Sequence, residues 1–110
     1  MVTFNYTDEF KRQAKRLAKR YRSLPDDIDW LQTELKNNPN LGVSLGGGKR
    51  KIRLASKSKG GGKSGGLRVI SLNVVVDVVD TCVNLITIYD KKEIANVSDK
   101  YIDSIIKQLK

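Results

Sequence analysis

Apolar and polar positions change period along this chain. Val2 to Tyr6 alternates with period two and predicts a short opening strand. Thr7 then offers a helix N-cap, with Asp8 and Glu9 in the first turn where carboxylates suit the helix dipole. Phe10, Ala14, Leu17, Ala18 and Tyr21 follow at helical spacing, and the other faces carry Lys11, Arg12, Lys15, Arg16, Lys19, Arg20 and Arg22. A second helix is expected from Pro25, with Asp26 and Asp27 beside it. Ile28, Leu31 and Leu35 form its stripe, and Asn37-Asn38-Pro39 stops it. Two helices so closely joined predict a helical hairpin.

Beyond the hairpin the period returns to two. In Lys51-Ile52-Arg53-Leu54 the alternation puts Lys49, Lys51 and Arg53 on one face and Ile52 and Leu54 on the other. Leu67 to Val76 reads as a long strand with Ile70, Leu72, Val74 and Val76 facing the core. Strict alternation puts Arg68 on that same face, so either it snorkels or a glycine-induced bulge shifts the register. After a turn around Val79 to Thr81, Val83 to Tyr89 forms another strand. Ser98 caps a last helix whose apolar positions are Ile102, Ile105, Ile106 and Leu109. The expected order is β-α-α-β-β-β-α without internal repeat, an α+β domain spanning residues 1–110.

Charge sharpens this picture. The net charge is +9, and no acidic residue lies between Glu34 and Asp77. Lys36, Lys49, Arg50, Lys51, Arg53, Lys57, Lys59, Lys63 and Arg68 all fall in that interval. So concentrated an excess points to a polyanionic partner, whereas an ordinary solvated strand face mixes both signs. The single Cys82 excludes an internal disulfide and reads as a core residue of a protein in a reducing compartment. No apolar run has the length of a signal peptide or a membrane span, so a cytoplasmic protein without a membrane partner is expected.

Ser58 to Ile70, SKGGGKSGGLRVI, imitates a phosphate-binding loop without being one. Gly62-Lys63-Ser64 matches the end of the pattern, but its first glycine falls on Lys57, and a β-branched run follows where a helix should open. Lys57, Lys59 and Lys63 among glycines instead make a pliable hairpin tip for nucleic-acid phosphates, contacts that position without reading sequence. There is no histidine, and no cluster has metal-ligand spacing, so neither the commonest general base nor two-metal chemistry is expected, and no cofactor.

The basic hairpin, KRKIRLASKSKGGGKSGGLRVI, a strand ending IYDKKE and a short amphipathic helix together resemble the RelE/ParE superfamily of bacterial toxins, especially its HigB-like branch. The resemblance covers nearly the whole chain. It implies a small, mostly antiparallel sheet with the helical hairpin on one face and a short C-terminal helix. It also implies a toxin of a toxin–antitoxin system that cuts mRNA in the ribosomal A site, restrained by an acidic antitoxin that often displaces the last helix. Lys51 and Arg53 match the family's paired cations on the first central strand, Arg68 its arginine on the next, and Lys92 its basic residue after the last strand, with Lys91 as the alternative. These are the expected catalytic residues. Lys49, Arg50, Lys57, Lys59, Lys63 and Lys91 are expected to bind RNA. The family's tyrosine near the last helix aligns with Ser98, and Tyr89 or Tyr101 could stand in for it. Two rivals stay open: a ParE-type inhibitor of a topoisomerase, and an RNA-binding module without catalysis. Against the second, no aromatic side chain interrupts the basic segment to stack bases.

Overall fold

The computed structural model describes residues 1–58 and 66–109. Lys59 and Lys63, two expected RNA-binding residues, lie outside the described residues. Elements run β1 (Val2–Tyr6), α1 (Asp8–Arg20), α2 (Leu24–Asn37), β2 (Val43–Gly46), β3 (Lys49–Leu54), β4 (Leu67–Val75), β5 (Thr81–Asp90) and α3 (Asp99–Ile106). The architecture is α+β: one five-stranded sheet, ordered β1-β5-β4-β3-β2, with the helical hairpin on one face and α3 on the other. Pairing is antiparallel except between β1 and β5.

The helix starts follow their caps. Thr7 Oγ1 accepts from the Phe10 amide at 3.0 Å and donates to the Ile86 carbonyl at 2.6 Å, fixing α1 to β5 as well as capping it. Ser98 accepts from the Tyr101 amide at the start of α3. Phe10 and Leu17 of α1 and Leu24, Leu31 and Leu35 of α2 pack on Ile52, Leu54, Leu67, Val69, Val83, Leu85 and Ile88. That larger core covers one sheet face. On the other, Ile70, Ile86 and Tyr89 meet Ile102 and Ile105 of α3. Burying those two isoleucines stabilises the docked α3 by roughly 3–6 kcal/mol before the entropy of ordering the helix is subtracted, and Tyr101, Ile106 and Leu109 pack around them.

Strand β2 is additional to the three central strands expected. It is an exposed edge strand that turns into β3 through Gly46, Gly47 and Gly48, all at positive φ. At Gly48 a side chain would also collide with the Asn73 carbonyl, 2.8 Å from an ideal Cβ. On β4 the core face differs from expectation. Leu67 and Val69 face the hairpin, Ile70 faces α3, and Val74 and Val76 are exposed because the strand runs on past both covers. Cys82 is half-buried and outside both core clusters. Among the described residues, no helix is long and apolar enough to cross a membrane.

Candidate nucleic-acid interface

The register of three strands assembles the site. Unbroken pairing from Lys49↔Leu72 to Leu54↔Leu67 sets Arg53 opposite Arg68, and the next ladder sets Arg68 opposite Tyr89. Arg53, Arg68 and Tyr89 therefore form one row across the sheet, with neighbours about 4.8 Å apart along the hydrogen-bonding direction. The adjacent row on the same face is Lys51, Ile70 and Thr87. Lys49 follows on β3, its Nζ 3.4 Å from an Asp103 oxygen on α3. Lys51, Arg53 and Arg68 thus share one sheet face, on which Lys49 reaches α3.

The two readings of Arg68 both give way. No bulge interrupts its register with β3, and it does not snorkel outward: the residue is 5% exposed, with one guanidinium N–H donating to the Leu67 carbonyl at 3.2 Å. A bulge does occur, between Ile70 and Ser71 in the pairing with β5. It lets Ile86 face α3 between Leu85 and Ile88, which face the hairpin. Within the row Arg68 is a buried cation, and Arg53 is its exposed neighbour.

Asn96, in the connection between β5 and α3, ties the row to its rim. Its side-chain oxygen lies 3.4 Å from Lys51 Nζ and 3.5 Å from the Tyr89 hydroxyl. Burial pushes the Tyr89 phenol above its ordinary value, while the Arg68 charge pulls against that shift. Tyr101 is engaged elsewhere. Its hydroxyl donates to Glu9 on α1 and lies 3.2 Å from Thr87 Oγ1. Burial, and then the Glu9 contact, push that phenol up as well. Burial also works against the Glu9 carboxylate, but hydrogen bonds from Tyr101, Arg12 and Gln13 outweigh it and hold the carboxyl below its usual value. Of the two tyrosines, Tyr89 is the one in register with the arginines.

The remaining expected residues separate. Arg50 points to the opposite face, where Nε donates to the Leu41 carbonyl at 3.2 Å and Nη2 to the Gly42 carbonyl at 2.7 Å. It pins the connection between α2 and β2. Lys91 and Lys92 are exposed in the turn after β5, at the end of the sheet that also carries Arg53 and Arg68. The Lys92 amide donates to Asp90 Oδ1 at 2.9 Å. Lys57 is exposed at the root of the glycine-rich loop, where Ser58 and Ser23 exchange backbone-to-hydroxyl bonds of 2.8 and 2.9 Å. Those bonds fasten the end of β3 to the start of α2. On α1, Arg16 and Arg20 pair with Glu93, which braces the same turn from the hairpin side. Sequence reasoning passed over Asn96 and Glu9. Nothing in a lone asparagine or a first-turn glutamate marks them until the fold brings their partners near.

Among the described residues, no group of acidic, cysteine or histidine side chains could hold a metal ion. No family model matches this chain, and no curated protein matches it.

Proposed function

We propose that this protein is a toxin of the RelE/ParE type, HigB-like, acting as a ribosome-dependent, metal-independent endoribonuclease that cuts mRNA and so halts translation in the cytoplasm. The observation that carries the reading is the row Arg53–Arg68–Tyr89 with Lys51 beside it, a cluster of cations and one phenol on a sheet face in a chain of net charge +9.

In this reading an RNA phosphate sits over the row. The ribose 2′-oxygen attacks the adjacent phosphorus while its proton passes to solvent. The P–O5′ bond breaks, and the leaving oxygen takes up a proton, giving a 2′,3′-cyclic phosphate and a 5′-hydroxyl. Arg53 and Lys51 meet the extra negative charge of the five-coordinate state, and Arg68 adds a fixed field from beneath. A positioned donor of this kind is worth roughly 2.7–4 kcal/mol in the transition state. The raised Tyr89 phenol stays protonated at neutral pH and so does not act as a base. Lys49, Lys57, Lys91 and Lys92 surround the row as phosphate contacts, and Arg50, turned to the other face, is left out. An acidic antitoxin would cover the Lys49 to Arg68 surface.

Pulse labelling after induction tests the reading. Amino-acid incorporation should stop within minutes while thymidine incorporation continues. Arrest of thymidine incorporation first would favour the topoisomerase-inhibitor alternative.

A further inference from the structure

At one end of the sheet the β4–β5 hairpin outruns its neighbours: β3 pairs no further than Lys49↔Leu72, and β1 no further than Val2↔Thr81. The tip beyond is apolar. Val74, Val75, Val76, Val78 and Val79 are between 46% and 101% exposed, and the exposed Met1 lies beside them, its carbonyl accepting from the Thr81 amide at 3.0 Å. We propose that this tip is a self-association surface, packing about a two-fold axis against the same tip of a second copy of the chain. It lies at the end of the sheet remote from Arg53 and Arg68, so its role is independent of the activity proposed above.

A solvated hairpin guards its edges with charge, above all lysine, or with proline. This chain has 21 Lys and Arg, yet none falls between Arg68 and Lys91. The backbone edge is open as well. The Asn73 N–H donates to the Gly48 carbonyl at 2.9 Å, and by alternation the Val75 N–H and C=O point the same way, past the last pairing with β3.

Charge selects the occupant. Asp77 and Asp80 are the only acidic residues between Glu34 and Asp90, so an apolar tip that carries both is a poor partner for nucleic acid. The Asp77 carboxylate is already used inside its own turn, where it accepts from the Val79 and Asp80 amides at 2.9 and 3.0 Å. Elsewhere the chain is strongly cationic, and its copies repel. Arg68 and Val75 are seven residues apart on β4, about 24 Å, so two cation rows joined tip to tip stand several times the ~8 Å Debye length from one another. Their repulsion is screened, and both rows stay open.

The area also fits a second copy. At roughly 60–120 Å2 per valine side chain, the tip presents roughly 400 Å2 of apolar surface, the size of patch that marks interaction sites. Two tips would bury about 800 Å2. With the apolar share of about 65% found in homodimers, that corresponds to an interface of about 1,200 Å2, the lower end for specific contacts. A dimer in exchange with monomer follows, with a Kd of roughly 10 µM to 1 mM.

Sedimentation equilibrium of the full chain from about 10 µM to about 1 mM tests this. The mass should rise from the 12.3 kDa monomer towards a plateau at two copies, and more readily at higher salt, which screens the repulsion. Val78→Asp, at a fully exposed turn position, and Val75→Lys should each weaken association at least tenfold without lowering Tm, while Val78→Ile should retain it. Methyl NMR shifts that depend on concentration should be confined to the tip valines and Met1. A monomer throughout that range, or association indifferent to both charged variants, would overturn the proposal. So would a mass that keeps growing past two copies, which marks an open-ended contact and not a two-fold one. Binding to phosphatidylcholine vesicles by a protein that stays monomeric in solution, abolished by Val78→Asp, would assign the tip to a lipid surface instead.

Discussion

Arg50 and Arg53 lie three residues apart on one strand, carry the same charge and face opposite sides of the sheet. Replacing either with alanine lowers the net charge from +9 by one, so any difference between the variants cannot come from overall electrostatic steering. Arg50 makes two hydrogen bonds to carbonyls of the connection before β2, at 3.2 and 2.7 Å, in a partly solvated setting. Charged donors in protein contribute roughly 1.5–3 kcal/mol each when well shielded, so about 1–2 kcal/mol for the pair is reasonable here. For a domain of this size that is a fall of roughly 4–12 °C in Tm. Arg53 is exposed, and its loss should change stability by less than about 0.5 kcal/mol. In the transition state, however, it is expected to supply roughly 2.7–4 kcal/mol, a loss of about 10²–10³ in the cutting rate. The assay is thermal unfolding by circular dichroism, followed by single-turnover cutting on programmed ribosomes at a temperature where both variants are folded. Arg50→Ala should melt earlier and cut within about threefold of the wild type, well inside the smallest loss set for Arg53. Arg53→Ala should melt normally and barely cut. Equal loss of cutting in both would mean that charge, not position, drives activity, and the active row would be refuted.

The Glu9–Tyr101 contact makes an acid-stability prediction. The Glu9 carboxyl titrates below its ordinary value in the folded chain, so its contribution is present at neutral pH and is lost as pH falls through that lowered value. Glu9→Gln should therefore flatten the acid limb of a Tm-versus-pH curve; an unchanged limb would refute the linkage. Tyr101→Phe removes the hydroxyl shared with Glu9 and Thr87 and should cost about 1 kcal/mol in urea unfolding. An acidic partner, when bound, should shield Lys49 and Lys51 from amine labelling, and its association rate should fall steeply between low and physiological salt. A tight partner that leaves both lysines reactive would show that the cation face is not where it docks.

Much of the fold was legible because local signals and tertiary packing agree. Thr7, Ser98 and the Asn37–Pro39 stop mark helix ends that hold in the structure, and the apolar stripes of α1, α2 and α3 meet the cores they imply. Alternation on β3 correctly separated Lys51 and Arg53 from Ile52 and Leu54. Strand β2 was missed because four residues ending in glycine carry too little periodicity, although Gly46-Gly47-Gly48 before a strand is a hairpin signal in retrospect. Val74 and Val76 misled for a different reason. Period two tells which residues share a face but not how far along a strand that face stays covered. Arg68 illustrates the limit for the site: its face was readable, yet its buried place between Arg53 and Tyr89 depends on pairing with β3 and β5, which its neighbours in sequence do not specify. Arg50 shows the converse, a cation that composition groups with its neighbours and the pleat sends to the other side.

Primer extension on a translated reporter, with and without its start codon, decides whether this protein cuts mRNA only during translation. A ribosome-dependent nuclease acting through the Arg53 row should give cuts confined to the translated region, present in the wild type, absent without the start codon and absent in Arg53→Ala. Cuts that persist without translation, or none at all in wild-type cells whose growth has stopped, would contradict it.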